Sequence, residues 1–162
     1  MNYRVCFVCS GNICRSPIAE KVLAHRLAST ELAERVVVDS AGTGGWHVGE
    51  PADPRTQALL MSHGYPSTHT ARQWHPEWFG QRDLIVAMDT GHLRTLRRMA
   101  PDERARRALV LLREFDPDDD ADADVPDPYY GGPEGFEEVL AIVEAAMDGL
   151  LERIREDLAA RG

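Results

Sequence analysis

Apolar positions along the chain fall into short runs rich in branched residues, separated by longer stretches of helical period. Arg4-Val5-Cys6-Phe7-Val8 predicts a first strand. Behind it, Ile18, Val22, Leu23 and Leu27 share one face of a helix over residues 18–28, with Ser16 as the expected N-cap and Pro17 as the first helical residue. Arg35-Val36-Val37-Val38-Asp39 predicts a second strand, followed by a turn over Ser40-Ala41-Gly42-Thr43-Gly44-Gly45. Asp53-Pro54 opens a helix that runs to Met61 and that Gly64 stops. Residues 83–88 predict a third strand, leading into Asp89-Thr90 as the cap of a helix from His92 to Met99. Residues 108–112 predict a fourth strand. From Pro133 to Ala160, apolar residues recur at intervals of three and four, which predicts one long amphipathic helix. Strands alternating with helices give an α/β fold class: one three-layer α/β/α domain over residues 1–162, with a four-stranded parallel sheet flanked by helices. The chain shows neither an internal repeat nor a linker.

Parallel sheets bind ligands beyond the C-terminal ends of their strands. The loop after the first strand, the turn from Ser40 to Trp46, and Asp89 are therefore expected along one rim. That first loop, Cys9-Ser10-Gly11-Asn12-Ile13-Cys14-Arg15-Ser16, passes from strand to helix within a few residues. Such a junction aims backbone N–H groups and a positive helix end at one point, which makes an anion site. Asn12 suits a left-handed position within it. Cys9 opens the loop and Arg15 closes it. The helix end and the guanidinium both favour a thiolate at Cys9. The planar fork of Arg15 matches two oxygens of a tetrahedral oxyanion. A sulfur nucleophile at the floor of a phosphate-sized nest implies phosphoryl transfer to sulfur. Neither Gly-x4-Gly-Lys-Ser/Thr nor Gly-x-Gly-x-x-Gly occurs, so a nucleotide cradle is not the reading.

Charge and composition narrow the partners. A net charge of −9 over 162 residues argues against nucleic acid. No stretch approaches the roughly 20 apolar residues of a membrane span. The first residues lack a leader's basic, apolar and small-residue order, so no membrane association and a cytoplasmic location are expected. The acidic run from Asp116 to Asp124 reads as a solvated loop. It lacks the glycine and closing glutamate of a calcium loop, so no metal and no cofactor is expected. Three cysteines within nine residues form neither a disulfide framework nor a zinc spacing, and Cys6 reads as a small core residue.

Val8-Cys9-Ser10-Gly11-Asn12-Ile13-Cys14-Arg15-Ser16-Pro17 resembles the signature of the low-molecular-weight protein tyrosine phosphatases. Further stretches match in order: Val38 to Thr43, His69 to Gln73, Ala87-Met88-Asp89, and Asp127-Pro128-Tyr129-Tyr130. The resemblance implies a flavodoxin- or Rossmann-like fold and hydrolysis of phosphotyrosine and small aryl phosphates through a phosphocysteine intermediate. Cys9 is then the nucleophile, Arg15 the oxyanion clamp and Asp127 the general acid and base. Position alone gives Asp127 no advantage over the neighbouring aspartates; the likeness of Asp-Pro-Tyr-Tyr to the family's acid loop singles it out.

Substrate contacts implied by the same resemblance are Ser10, Gly11, Asn12, Ile13, Cys14 and Ser16 around the phosphate, and Tyr129 and Tyr130 as an aromatic wall. Trp46 is either the opposite wall or a packing residue. Ser16 either bonds the leaving thiolate or serves only as a cap, and Ser40 and His69 match residues that brace the loop. Cys14 is either a passive thiol or a partner for a reversible, protective disulfide with Cys9. The implied partners are phosphotyrosine proteins, with inorganic phosphate and other oxyanions as inhibitors of a monomeric enzyme.

Rival readings are distinguishable in the residues. Thioredoxin-coupled arsenate reductases need two further cysteines late in the chain, and none follows Cys14. Protein-arginine phosphatases carry Thr where this loop has Ile13. A phosphate-binding module without turnover would lack the nucleophile, the arginine or the acid, and Cys9, Arg15 and Asp127 are all present.

Overall fold

In the computed structural model, four strands form one sheet: β1 (Tyr3–Cys9), β2 (Val36–Gly42), β3 (Leu84–Ala87) and β4 (Leu109–Leu111). Their order is β2-β1-β3-β4, and every neighbouring pair is parallel. The structure describes residues 2–118 and 120–161; Asp119 of the acidic run lies outside the described residues. Five α-helices lie between and after the strands: α1 (Arg15–Ala28), α2 (Pro54–Ser62), α3 (Thr90–Met99), α4 (Glu103–Arg107) and α5 (Pro133–Ala160). Short 3-10 turns occupy Pro76–Gln81 and Leu112–Phe115.

Central strands β1 and β3 are buried on both faces, so from Val5 to Cys9 and from Leu84 to Ala87 they carry apolar residues without a break. Val5, Phe7, Leu84 and Val86 pack with α1, α2 and α5, while Cys6, Val8, Ile85 and Ala87 pack with α3, α4 and Trp74. These two apolar layers enclose the sheet, which is the expected three-layer α/β arrangement. Burial among them pushes the Cys6 thiol well above its ordinary value. The buried face of α5 runs from Phe136 to Leu158 at the predicted spacing. Among the described residues, no helix is long and apolar enough to cross a membrane.

Two boundaries around the first loop and one short helix depart from the sequence expectation. Ser40, Ala41 and Gly42 belong to β2, not to the following turn, because they pair in register with Phe7, Val8 and Cys9. Helix α1 starts at Arg15 with Cys14 as its N-cap, so Ser16 is not the cap. Its hydroxyl turns inward to the Cys9 sulfur instead, at 2.9 Å. The short helix α4 was not predicted, although Asp102 caps it by accepting from the Ala105 N–H at 2.8 Å.

Candidate active site

The loop between β1 and α1 is held by its carbonyl groups. The Cys9 carbonyl accepts from the Thr43 N–H at 2.8 Å, that of Ser10 from Gly44 at 3.0 Å, and that of Ile13 from Asp53 at 3.0 Å. The Asn12 carbonyl accepts from His69 Nε2 at 2.7 Å. Among the described residues, the N–H groups of Ser10 to Cys14 donate to no carbonyl or side chain. Buried N–H groups seek partners, so a loop held by its carbonyls and side chains, with its N–H groups left over, is built to receive an anion. Close approach of β2 to the loop requires Gly42, where a Cβ would lie 2.5 Å from the Ser10 carbonyl oxygen.

Asn12 adopts φ 59°, the left-handed conformation expected of it, and is wholly buried. Its Nδ2 donates to Ser16 Oγ at 2.8 Å and to Ser40 Oγ at 2.9 Å, and its Oδ1 accepts from the Arg72 N–H at 2.8 Å. Because Asn12 donates to Ser16 Oγ, the Ser16 proton is free to point at the Cys9 sulfur. Asn12 and Ser16 thus lie beneath the loop and brace it. Ser40 and His69 complete that bracing, and burial keeps the His69 imidazole neutral by lowering its pKa.

Above the loop opens a concavity of about 410 Å³. Cys9, Ser10, Gly11, Ile13, Cys14 and Arg15 form its floor, and Trp46, Asp127, Tyr129 and Tyr130 its walls. His47, which the sequence reading did not single out, also lines it. The Trp46 side is open to solvent, at 72% exposure, whereas Trp74 is buried as core. Cys14 lies in the floor with its thiol pushed up to about 12 by burial, so it stays protonated at neutral pH.

Arg15 is buried and rigidly held. Its Nη1 donates to Asp89 Oδ2 at 2.9 Å and to the Val125 carbonyl at 3.0 Å. Asp127 Oδ2 lies 3.7 Å from Nη2, so the acid loop sits against the clamp. The other oxygen, Asp127 Oδ1, accepts from the Tyr129 N–H at 3.0 Å, which fixes the turn through Pro128. Burial raises the Asp89 carboxyl, but the bond from the His92 backbone N–H and the charge and bond of the Arg15 guanidinium outweigh it and hold that carboxyl below its usual range.

Two groups at the site carried no signal in the local pattern. His92 Nε2 sits 2.8 Å from Ser10 Oγ and 3.4 Å from Arg15 Nη2. Burial first, and then the Arg15 charge, push its pKa down to about 4, so the ring is a neutral acceptor for Ser10. His92 Nδ1 approaches Asp89 Oδ1 to 3.1 Å without the alignment of a hydrogen bond, and that oxygen already accepts from the His92 backbone. Arg55 is the second group. Its Nε and Nη2 each meet Asp53 at 3.0 Å, and its Nη1 donates to the Tyr129 carbonyl at 2.9 Å. The same guanidinium lies over the Tyr129 ring at 5.3 Å and the Phe136 ring at 4.8 Å. The N-terminus of α2 therefore bridges the nucleophile loop, through Ile13, to the acid loop, through Tyr129.

Among the described residues, no group of three or more His, Cys, Asp or Glu is placed to hold a metal ion. The arrangement is a thiol, a buried guanidinium and free N–H groups facing one anion, with a carboxyl at the rim. That set suits attack of sulfur on phosphorus and protonation of a leaving oxygen.

Comparison with known proteins agrees with this chemistry. The family model described as "Low molecular weight phosphotyrosine protein phosphatase" matches residues 4–160. A low molecular weight protein-tyrosine-phosphatase of Streptomyces coelicolor is 58% identical over 162 residues, 99% of each chain. A solved protein tyrosine phosphatase of Entamoeba histolytica, with Hepes in its active site, superposes with TM-score 0.91 at 35% identity, covering 96% of this chain and 99% of that one. The solved drosophila arginine phosphatase is also similar, with TM-score 0.85 at 33% identity over 93% and 96% of the two chains.

Proposed function

Since the chain belongs to the low molecular weight phosphotyrosine protein phosphatases, we propose that its pocket hydrolyses phosphotyrosine by two in-line displacements centred on Cys9. In the first, the Cys9 thiolate attacks phosphorus, the bond to the aryl oxygen breaks, and Asp127 gives its proton to the departing phenolate. Arg15 and the N–H groups of the loop stabilise the equatorial oxygens. In the second, water attacks the phosphocysteine, Asp127 takes the water's proton, and the sulfur leaves as a thiolate that accepts from Ser16 Oγ. Ser10, Gly11, Ile13 and Cys14 hold the phosphate through their backbone, with Asn12 and Ser16 bracing them from beneath. Trp46 and the tyrosine pair, Tyr129 and Tyr130, flank the aryl ring.

One observation carries this reading: Cys9 and Arg15 form the floor, and Asp127 the rim, of a single concavity. Nucleophile, clamp and acid are all supplied by the same chain, so the reading needs no second copy, in keeping with a monomer and one catalytic domain over residues 1–162. A thiol nucleophile among three free cysteines suits a reducing compartment such as the cytoplasm. The substrates are phosphoproteins, and inorganic phosphate and related oxyanions act as competitive inhibitors.

The likeness to the drosophila arginine phosphatase supports a second reading, phosphoarginine hydrolysis. Bulky Ile13 in the floor, where that class carries Thr, favours the aryl ester. Phosphate release from matched phosphotyrosine, phosphoserine and phosphoarginine peptides, without added metal, separates the two. Turnover of phosphotyrosine alone, abolished in Cys9→Ser, is expected. A preference for phosphoarginine would replace the first reading by the second. No turnover of any peptide, with oxyanion binding retained, would make the chain a phosphate-binding module.

A further inference from the structure

A second concavity of about 410 Å³ lies at the opposite end of the sheet, where the strands begin. Six arginines line it: Arg4, Arg82, Arg104, Arg107, Arg153 and Arg161. They come from β1, the segment before β3, α4, and the C-terminal end of α5, so four separate stretches of chain bring guanidinium groups to one space. The protein as a whole carries a net charge of −9, and this gathering runs against that background.

The six fall into two sets. Arg82, its side chain 8% exposed, is bonded to Asp39 Oδ2 at 2.6 Å, and Arg153 Nε meets Asp157 Oδ1 at 3.1 Å. Arg161 pairs with Asp83 and lies over the Tyr3 ring at 5.0 Å. Asp83 is further occupied by the Arg4 backbone N–H, at 2.7 Å. These three guanidiniums build a fixed wall. By contrast, the Arg4, Arg104 and Arg107 side chains have no carboxylate within 4 Å among the described residues. Three unneutralised forks around a concavity match the charge of adjacent phosphates, and planar guanidinium suits phosphate oxygens pairwise. Phe79, the one aromatic ring lining the space among the described residues, is only 7% exposed, so it offers no stacking surface for a base.

We propose that this concavity is a binding site for a small anion carrying two or more adjacent phosphates, recognised through Arg4, Arg104 and Arg107. The site is independent of the catalytic pocket, which lies about 20 Å away along the seven residues of β1. Bridging α4 and β1, the anion stabilises the folded chain by binding it in preference to the unfolded one.

Calorimetric titration with inorganic triphosphate and with a nucleoside triphosphate, without divalent metal, tests this. Saturating orthovanadate keeps the catalytic loop occupied throughout. Both probes are expected to bind with affinities within about threefold of one another and to raise Tm by a few degrees. Arg4→Ala, Arg104→Ala and Arg107→Ala together should weaken binding at least tenfold and leave phosphatase turnover unchanged. Unchanged turnover also reports that the variant is folded. Arg104→Glu with Arg107→Glu should abolish binding outright. No binding while the catalytic loop is so occupied, binding that survives the triple substitution, or binding of the nucleotide alone would overturn the proposal. Failure here leaves the phosphatase reading untouched, since that reading stands on Cys9.

Discussion

His92 is kept neutral at a place where protonation would set a second positive charge beside the Arg15 guanidinium. Its pKa of about 4, against an ordinary value near 6.5, means that the unfolded chain binds a proton that the folded one refuses. Stability is therefore intact above pH 6.5 and falls as pH drops from there toward 4, by about 3 kcal/mol for this group. Urea unfolding of the wild type and of His92→Gln across that range checks it. The difference in stability between the two should shrink as pH falls. A constant difference would mean that the ring is not the titrating group. At this scale the sequence was legible where chemistry is contiguous: Cys9, Asn12 and Arg15 sit in one loop, and their spacing alone describes an anion nest. Asp127 was legible only by resemblance, because its surroundings are a run of aspartates. Asp89 was expected on the same rim, but its bond to Arg15 and the contact of His92 with Ser10 span 74 and 82 positions of chain and leave no local trace. Ser16 stayed open between two roles in the sequence because a hydroxyl near a helix start serves equally as a cap or as a donor to a neighbouring sulfur, and the structure has the second.

Between elements, the N-terminus of α2 does more than close a helix. Asp53 caps α2 by accepting from the Arg55 N–H at 2.9 Å, while its own N–H holds the Ile13 carbonyl of the nucleophile loop. Arg55 then carries the connection to Tyr129, next to the general acid. Loosening this bridge should cost acid catalysis more than phosphate binding. Arg55→Ala is expected to lower kcat/KM for a phosphotyrosine peptide about tenfold, within the range that a positioned acid supplies. For an aryl phosphate whose phenol leaves without protonation, the loss should stay within about twofold. Equal losses on both substrates would show that Arg55 supports binding or folding and not the acid. Strands and long helices were legible as apolar periods, since burial on both sheet faces leaves an unbroken run. Helix α4 escaped notice because five residues, three of them arginine, show no period to read. The extra length of β2 came from pairing with β1, a tertiary contact that no local pattern encodes.

At the scale of the molecule, charge is unevenly laid out. The catalytic mouth lies on a chain of net charge −9, next to the segment holding the acidic run from Asp116 to Asp124. A phosphotyrosine peptide approaches as a dianion, so the field that the loop focuses on phosphate is opposed by the field of the surface around it. Acidic flanking residues would add to that repulsion and basic ones would relieve it. Raising ionic strength shortens the screening length from about 30 Å at 0.01 M to about 8 Å at 0.15 M, which removes the distant repulsion and spares the buried contacts of Arg15. The rate constant most exposed to this is the encounter, and so kcat/KM and not kcat. For peptides with acidic flanks, kcat/KM should rise about two- to threefold over that range, and for peptides with basic flanks it should fall. Steady-state kinetics on a matched pair of peptides, with the counter-ion held constant, measures both slopes. If the two slopes share a sign, surface charge does not steer these substrates, and flank selectivity must arise instead from direct contact with Trp46, Tyr129 and Tyr130 at the mouth.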